Sequence, residues 1–390
     1  GADRSDRRIA LDEFQCFTHF HEAMKPGETL KKWEEIERAA VSLLRDVLGR
    51  VPFITVENVR QSHRSGDRGI DVLADVSVNG TSWSLLCEVK SHLLPSVARD
   101  VASRLWLTLE HSNEPRVYAV LIAPFLSEKT RAICSDLGVG WLDFAGNAHL
   151  CFDTVFIELA GKPARQPSPK KVWSGLFGSK SERILRRLMR EPQRSWKVVE
   201  LAGETGTSVG LVSNVRRALI DQEWAAADAD GFRLRQPEEL LDAWKAIYRP
   251  STGDRLGFHT LLHGSALTEA VKSVLAEGEG RVILAGTAAA QWLAPCAGGG
   301  PLHLYADRAG LDSVRRHLRL KPVSRGANVV VDRPTDDGVF LDAVEPAPGI
   351  RCTGPVQTFL DLTTGNDRFV EAAGHLRTEL LDPLFRADTP

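Results

Sequence analysis

The segment Gly69–Lys90, GIDVLADVSVNGTSWSLLCEVK, restricts this chain more than any other stretch of it. Two apolar-rich runs flank Asn79-Gly80, and a type I′ turn needs positive φ at both central residues, which Asn-Gly adopts at least cost. A two-residue loop there pairs Val78 with Thr81 and, counting outward, sets Asp71 directly opposite Glu88. Lys90 then points to the same face as Glu88, because strand side chains alternate with period two. Directly opposed carboxylates repel and destabilise a hairpin. A compensating charge is therefore expected, and a divalent cation is the natural candidate. The simpler alternative is a solvated strand pair that tolerates the repulsion.

At 390 residues the chain exceeds what one hydrophobic core serves, so two or three domains are expected. Its 49 basic and 51 acidic residues give a net charge of −2. A near-neutral total does not exclude nucleic acid, since charge can be segregated by domain. Residues 162–217 carry Lys162, Arg165, Lys170, Lys171, Arg183, Arg186, Arg187, Arg190, Arg194, Lys197, Arg216 and Arg217, with few acids between them. The C-terminal third is neutral to acidic by comparison. Six scattered cysteines without a Cys-x-x-Cys pair fit buried thiols in a reducing compartment. Cys16, His19 and His21 lack a second ligand cluster, and His259 and His263 lack the glutamate of a zinc-protease motif. No run of about 18 apolar residues is present, and the first residues are polar rather than signal-like, so no membrane span and a cytoplasmic location are expected.

The periodicities predict a multidomain protein of α/β and α+β class. Residues 1–27 form an N-terminal arm. Residues 28–161 form an α/β unit: a helix from Glu28 with Trp33, Ile36, Ala40, Val41, Leu44 and Leu48 inward, a strand near Phe53–Val56, the hairpin, a helix over Leu94–Leu107, and a buried strand over Val117–Pro124. A Ser-capped helix over Ser127–Leu137 and strands over Val139–Phe144 and His149–Leu159 complete it. Residues 162–180 read as a basic linker, opening with the proline-containing KPARQPSPKKVW; a solvated tether is the plain reading, phosphate contact by Lys170 and Lys171 the other.

Residues 181–237 have the layout of a winged helix-turn-helix: helices over Ser181–Arg190, Trp196–Ala202 and Thr207–Glu223, then a hairpin with its turn at Asp230-Gly231. The third helix buries Val209, Val212, Val215 and Leu219. Ser208, Ser213, Asn214 and Arg217 lie on the opposite face, within reach of base edges in the major groove of double-stranded DNA, with Arg233 and Arg235 on neighbouring phosphates. Arg186 and Arg187 belong to the same basic surface in this reading. Residues 238–390 form a C-terminal α/β domain, with strands expected at Arg281–Ala285, Leu302–Tyr305 and Val339–Val344.

Residues 28–161 resemble the restriction-endonuclease-like PD-(D/E)XK superfamily, in Gly69-Ile70-Asp71 on one strand and Glu88-Val89-Lys90 on the next. Ile36-Glu37 leading to Leu43-Leu44 is similar to the first helix of its Mrr and resolvase members. The resemblance implies that Asp71 and Glu88 ligate Mg²⁺ (or Mn²⁺), that Glu37 assists them, and that Lys90 positions and helps ionise the attacking water. The sequence departs from the pattern at Gly69-Ile70, where a proline is usual, and at Ser91-His92 after the lysine.

A second resemblance, to AbiEi-type transcriptional regulators and antitoxins of type IV toxin–antitoxin systems, rests on WLDFAGNAHL (141–150), VSNVRRALIDQEW (212–224) and GFRLRQPEELLDAW (231–244). It implies a repressor that binds its own promoter, with a cognate toxin or other protein as partner of the C-terminal domain. That domain is also faintly similar to a degenerate nucleotidyltransferase, with Gly286-Thr287 as its turn, Asp307 as the one remaining strand aspartate and Asp342 as a third-strand carboxylate. Two readings follow: a Mg²⁺-dependent DNA nuclease guided by the winged helix, or a non-cleaving regulator that uses the nuclease fold only for binding. A homodimer suits either, because a two-fold axis matches antiparallel strands.

Overall fold

The computed structural model describes residues 26–61, 70–110, 116–161, 175–250, 252–278, 280–295 and 300–386, with side chains from Glu35 onward. The arm before residue 26, Lys170, Lys171, the side chain of Trp33 and Cys16, His19 and His21 lie outside these. The chain divides into two compact units, 1–171 and 172–390.

The first unit is a seven-stranded sheet in sequential order: β1 (Ile54–Gln61), β2 (Val72–Val78), β3 (Thr81–Val89), β4 (Val117–Ala123), β5 (Gly140–Asp143), β6 (Ala148–Phe152) and β7 (Val155–Leu159). β3, β4 and β5 run parallel, and the remaining neighbours are antiparallel. The apolar run of β4 is buried on both sides, as a central parallel strand must be. Helix α1 (Pro26–Leu48) covers one face, where Ile36, Ala40 and Leu44 share a core with Val72, Ala74, Cys87 and Val89. Helices α2 (Pro95–Glu110) and α3 (Glu128–Asp136) cover the other, packing Ala98, Leu105 and Ile133 around Leu121 and Trp141. Ser127 caps α3 by accepting the Thr130 amide.

The hairpin takes the expected register, from Val78↔Thr81 to Val72↔Cys87. Asn79 (φ 49°) and Gly80 (φ 80°) adopt the left-handed turn that Asn-Gly favours. One expectation fails nearby. Residues 149–159 are two strands, not one, joined by a turn at Asp153 (φ 50°) that pairs Phe152 with Val155. The buried positions change phase across it, from Leu150 and Phe152 to Val155 and Ile157, with Asp153 and Thr154 exposed between them.

The second unit begins with α4 (Ser179–Arg190), α5 (Val198–Thr205) and α6 (Val209–Asp221), then the hairpin β8 (Ala225–Asp228) and β9 (Gly231–Leu234), and α7 (Pro237–Ile247). Gly206, left-handed at φ 60°, ends α5, and Ser208 caps α6 by accepting the Leu211 amide. Val212, Val215 and Leu219 are buried as expected, but Val209 is 48% exposed. It occupies the first turn, one step outside the inward stripe. Trp196 precedes α5 rather than opening it: its backbone bridges Phe232 (N to O 2.8 Å, and 3.1 Å in return), and its ring is fully buried.

After α7 come β10 (Thr252–His259), α8 (Gly264–Glu277), β11 (Val282–Leu284), α9 (Gly286–Leu293), β12 (Leu302–Ala306), α10 (Arg308–His317), β13 (Lys321–Pro322), β14 (Val329–Pro334), α11 (Gly338–Leu341), β15 (Val344–Ala347), β16 (Ile350–Cys352), α12 (Pro355–Thr363), α13 (Asp367–Leu376) and, past a π-type turn, α14 (Asp382–Arg386). The sheet order is β13-β10-β14-β12-β11-β16-β15. The strand expected over 339–344 is instead the short helix α11 and its exit. Asp336 accepts the Gly338 amide at 2.8 Å and starts a helical turn, while Phe340 fills an apolar niche beside Tyr305. Helices α8 and α10 bury one set of apolar residues against this sheet. The larger core joins α4, α5, α6, the hairpin and α7 to α9, α12 and α13, through Trp196, Phe232, Trp244, Phe359 and Leu376. The first helices and the C-terminal helices thus fold around one interior.

Gly231 tests that interior. Its φ is 152°, and a Cβ there would stand 2.2 Å from the Trp196 carbonyl oxygen. Gly231→Ala should lower stability by about 2–3 kcal/mol, read as a reduced denaturant midpoint at unchanged slope.

Candidate functional site

The regular pairing ends at Val72↔Cys87, with Asp71 and Glu88 just past it. The Asp71 amide donates to the Cys87 carbonyl at 2.9 Å, one residue off the register that would set it opposite Glu88, and Asp71 Oδ2 accepts the Val89 amide at 2.7 Å. Glu88 is fully buried beneath α2. Its Oε1 takes Lys90 Nζ at 2.6 Å and an Arg104 guanidinium nitrogen at 2.7 Å. The charge that offsets the two carboxylates is therefore in part the protein's own, and Arg104 is a member of this cluster that no hairpin pattern announces. It arrives from α2, sixteen residues beyond Glu88. Burial raises the Asp71 carboxyl above its ordinary range, against the opposing effects of the Val89 amide and Lys90.

The donor set suits a hard divalent cation only in part. Two carboxylates lie side by side, and Glu88 Oε2 is a buried acceptor with no hydrogen-bond partner in the structure. Asp71 and Glu88 would be the residues to hold Mg²⁺ there, and the ion would acidify a bound water. Glu37 lies on α1, which packs on the face to which Cys87 and Val89 point, and no three His, Cys, Asp or Glu side chains converge on a metal position among the described residues.

The second unit offers a different surface. On α6, Asn214 and Arg217 are exposed, Ser213 is half-buried, and none of the three has a partner among the described residues. Ser208 is exposed, its Oγ accepting the Leu211 amide at 3.2 Å while its own proton stays available. Arg235 is exposed just past β9. Arg233 is half-buried on the hairpin, 3.9 Å from Asp228. The hairpin tip itself is acidic, with Asp228 and Asp230 on either side of the turn.

Two arginines expected on this surface are engaged by the protein, one internal and one half-buried. Arg186 is only 2% exposed and donates to Gln357 Oε1 at 2.8 Å, with Glu182 3.6 Å away. Arg187 stacks on the Trp196 ring 4.6 Å from its centroid and pairs with Glu204 at 2.6 Å and Glu191 at 2.7 Å. Other cations of the stretch are likewise matched: Arg183 forms a bidentate pair with Asp336 at 2.7 and 2.6 Å, Arg190 lies 3.7 Å from Asp342, and Arg194 holds Glu191 at 2.8 Å. The sequence count missed acids that fold back from more than 140 residues away.

The nucleotidyltransferase-like carboxylates are also accounted for. Asp307 caps α10, accepting the Gly310 amide at 2.8 Å, and pairs with Arg281 at 3.2 Å. Asp342 follows α11 instead of lying on a strand. The sheet carboxylate is Asp332 on β14, bound to His303 at 2.7 Å and Arg255 at 3.1 Å. Behind it, Asp361 Oδ1 accepts from Tyr248 Oη (2.7 Å), Tyr305 Oη (3.1 Å) and Gln357 Nε2 (2.8 Å).

Two outcomes follow. Lys90→Ala or Arg104→Ala alone should cost about 1 kcal/mol, because the other cation remains on Glu88. The double variant should cost well over the sum, about 3 kcal/mol or more, by stranding a buried charge; chemical denaturation of the four proteins measures this. Burial also pushes the Glu182 carboxyl up to about 7, from an ordinary value of 4.5. The folded state then binds more protons than the unfolded one between those values, so this group's contribution to stability is lost as pH rises from about 4.5 to 7. Glu182→Gln should gain on wild type by up to about 3 kcal/mol across that window, and a flat difference between the two stability profiles would refute the assignment.

Residues 233–382 match the family of AbiEi antitoxins, transcriptional regulators of type IV toxin–antitoxin systems. No curated protein and no solved structure matches the chain. The match opens on Arg233 in β9 and closes at Asp382, so it takes in α7, the second sheet and the helices that share a core with α4, α5 and α6.

Proposed function

We propose that this chain is a DNA-binding transcriptional regulator of the AbiEi antitoxin kind, with α5 and α6 as its helix-turn-helix and α6 as the reading helix. The observation that carries this is the shared core: a helix–turn–helix–hairpin packed into one interior with the region that matches a family of regulators. Sequence reasoning placed cleavage first. The family match moves regulation ahead of it.

In this reading the first turns of α6 face the major groove, Asn214 and Arg217 meet base edges or phosphates, and Ser213 supports them. Arg235 takes a backbone phosphate beside the groove. The acidic hairpin tip turns the wing away from phosphates, so contact falls to the helix and the base of the hairpin. A cognate toxin, the partner that the family's description suggests, belongs to the C-terminal part of the same unit.

A second reading keeps the hairpin as a nuclease site, because the Asp71 and Glu88 carboxylates lie close enough to repel and Glu88 Oε2 is buried without a partner among the described residues. Cleavage of supercoiled plasmid with Mg²⁺, Mn²⁺ or EDTA, by wild type beside Glu88→Gln and Lys90→Ala, separates the two. Metal-dependent nicking abolished by both substitutions would establish the enzyme.

For the regulator, full-length protein should shift duplex carrying its operator, with affinity falling steeply between low and physiological salt. Asn214→Ala or Arg217→Ala should each weaken that complex by roughly 5- to 150-fold, corresponding to about 1–3 kcal/mol, with folding intact. Equal binding by wild type and both variants in a mobility-shift titration would remove α6 from the interface.

A further inference from the structure

The reading face of α6 has an apolar head that the described residues leave about half exposed. Val209 stands 48% exposed in the first helical turn. β-branched side chains lose rotamer freedom in a helix, so an exposed valine gains nothing there by propensity. Gly210 follows it, and no atom lies within 4 Å of where a Cβ on Gly210 would stand. Around them, Ser208, Asn214 and Arg217 are exposed. Val209, Ser213 and Arg217 fall at i, i+4 and i+8, which places them in one row along the helix. Val212, Val215 and Leu219 occupy the opposite, buried side. The row thus runs from two methyl groups at the N-terminal end, through a hydroxyl, to a guanidinium.

We propose that Val209 is a specificity-determining residue that packs its γ-methyl groups against the 5-methyl group of a thymine in the major groove. The inference rests on α6 being the reading helix. Residues in the first turns of such a helix approach base edges most closely, and the thymine methyl is the one apolar feature a base presents in that groove. Gly210 adds no side chain beside it, so the helix can approach the bases at this end. Arg217, two turns away on the same row, supplies the charge complementarity with the DNA backbone or a guanine edge that holds the row in the groove.

The test replaces thymine by uracil, which removes the methyl group and leaves every hydrogen-bonding atom in place. The preferred duplex is first selected from a random pool with full-length protein, and each thymine is then exchanged singly. At one position or more, wild type should lose about fourfold in affinity, the worth of one buried methyl-sized group. Val209→Ala should bind the thymine duplex about as weakly as wild type binds the uracil one, and should be indifferent to the exchange there. Wild type indifferent to uracil at every position, or Val209→Ala retaining full sensitivity at every position, would overturn the proposal. Those outcomes leave α6 as the reading helix if Arg217→Ala still weakens binding. If wild type selects no sequence, or both Asn214→Ala and Arg217→Ala bind as wild type does, the reading of α6 falls and this inference with it.

Discussion

A guanidinium with almost no exposure fixes the geometry of the second unit. Arg186 cannot be stripped of water without partners, because an unpaired buried charge costs several kcal/mol. Its partners, Gln357 and Glu182, come from α12 and from its own helix. Gln357 in turn donates to Asp361, which is also held by Tyr248 and Tyr305. One polar chain therefore links α4, α7, β12 and α12, and the apolar core of Trp196, Trp244 and Phe359 closes around it. The direction in which α6 points is thus a property of the C-terminal sheet and helices as much as of the first three helices. A partner that shifted α12 against α4 would have to break this chain, which gives the family-matched region a physical route to the helix-turn-helix.

The first unit meets the same problem in a different way. Glu88 is as buried as Arg186, but its compensating charges, Lys90 and Arg104, are 29% and 48% exposed. Cations that reach the surface can exchange partners, since water solvates them when they leave. A buried carboxylate with movable counter-charges and one unpartnered oxygen can accept a different cation at modest cost. The chemistry of the hairpin is open in a way that the Arg186 chain is not.

Legibility from sequence followed the range of the interaction. The hairpin register was readable because Asn-Gly fixes it locally and period two carries it outward as far as Val72 and Cys87. The Ser127 and Ser208 caps and the buried run of β4 are equally local. The turn at Asp153 was missed although the inward positions shift phase there, from Phe152 to Val155, and 339–344 mimicked a strand until Asp336 turned it into a helix. Arg104 escaped notice because helix position, not spacing, brings it to Glu88. Charge pairing was the least legible feature. Among the described cations between 175 and 217, Arg183 and Arg190 find acids beyond residue 330, Arg186 finds Gln357, and Arg187 and Arg194 find Glu191 and Glu204.

That pairing sharpens the functional argument. Charge matched inside the fold releases no counterions from DNA, so a count of basic residues overstates phosphate contact. What remains for a ligand is the set the fold leaves without partners, and on α6 that set is compact: a capped N-terminus, an exposed valine, an asparagine and an arginine. Few free charges with varied hydrogen-bonding and apolar groups make a poor general grip on phosphates and a good reader of base edges.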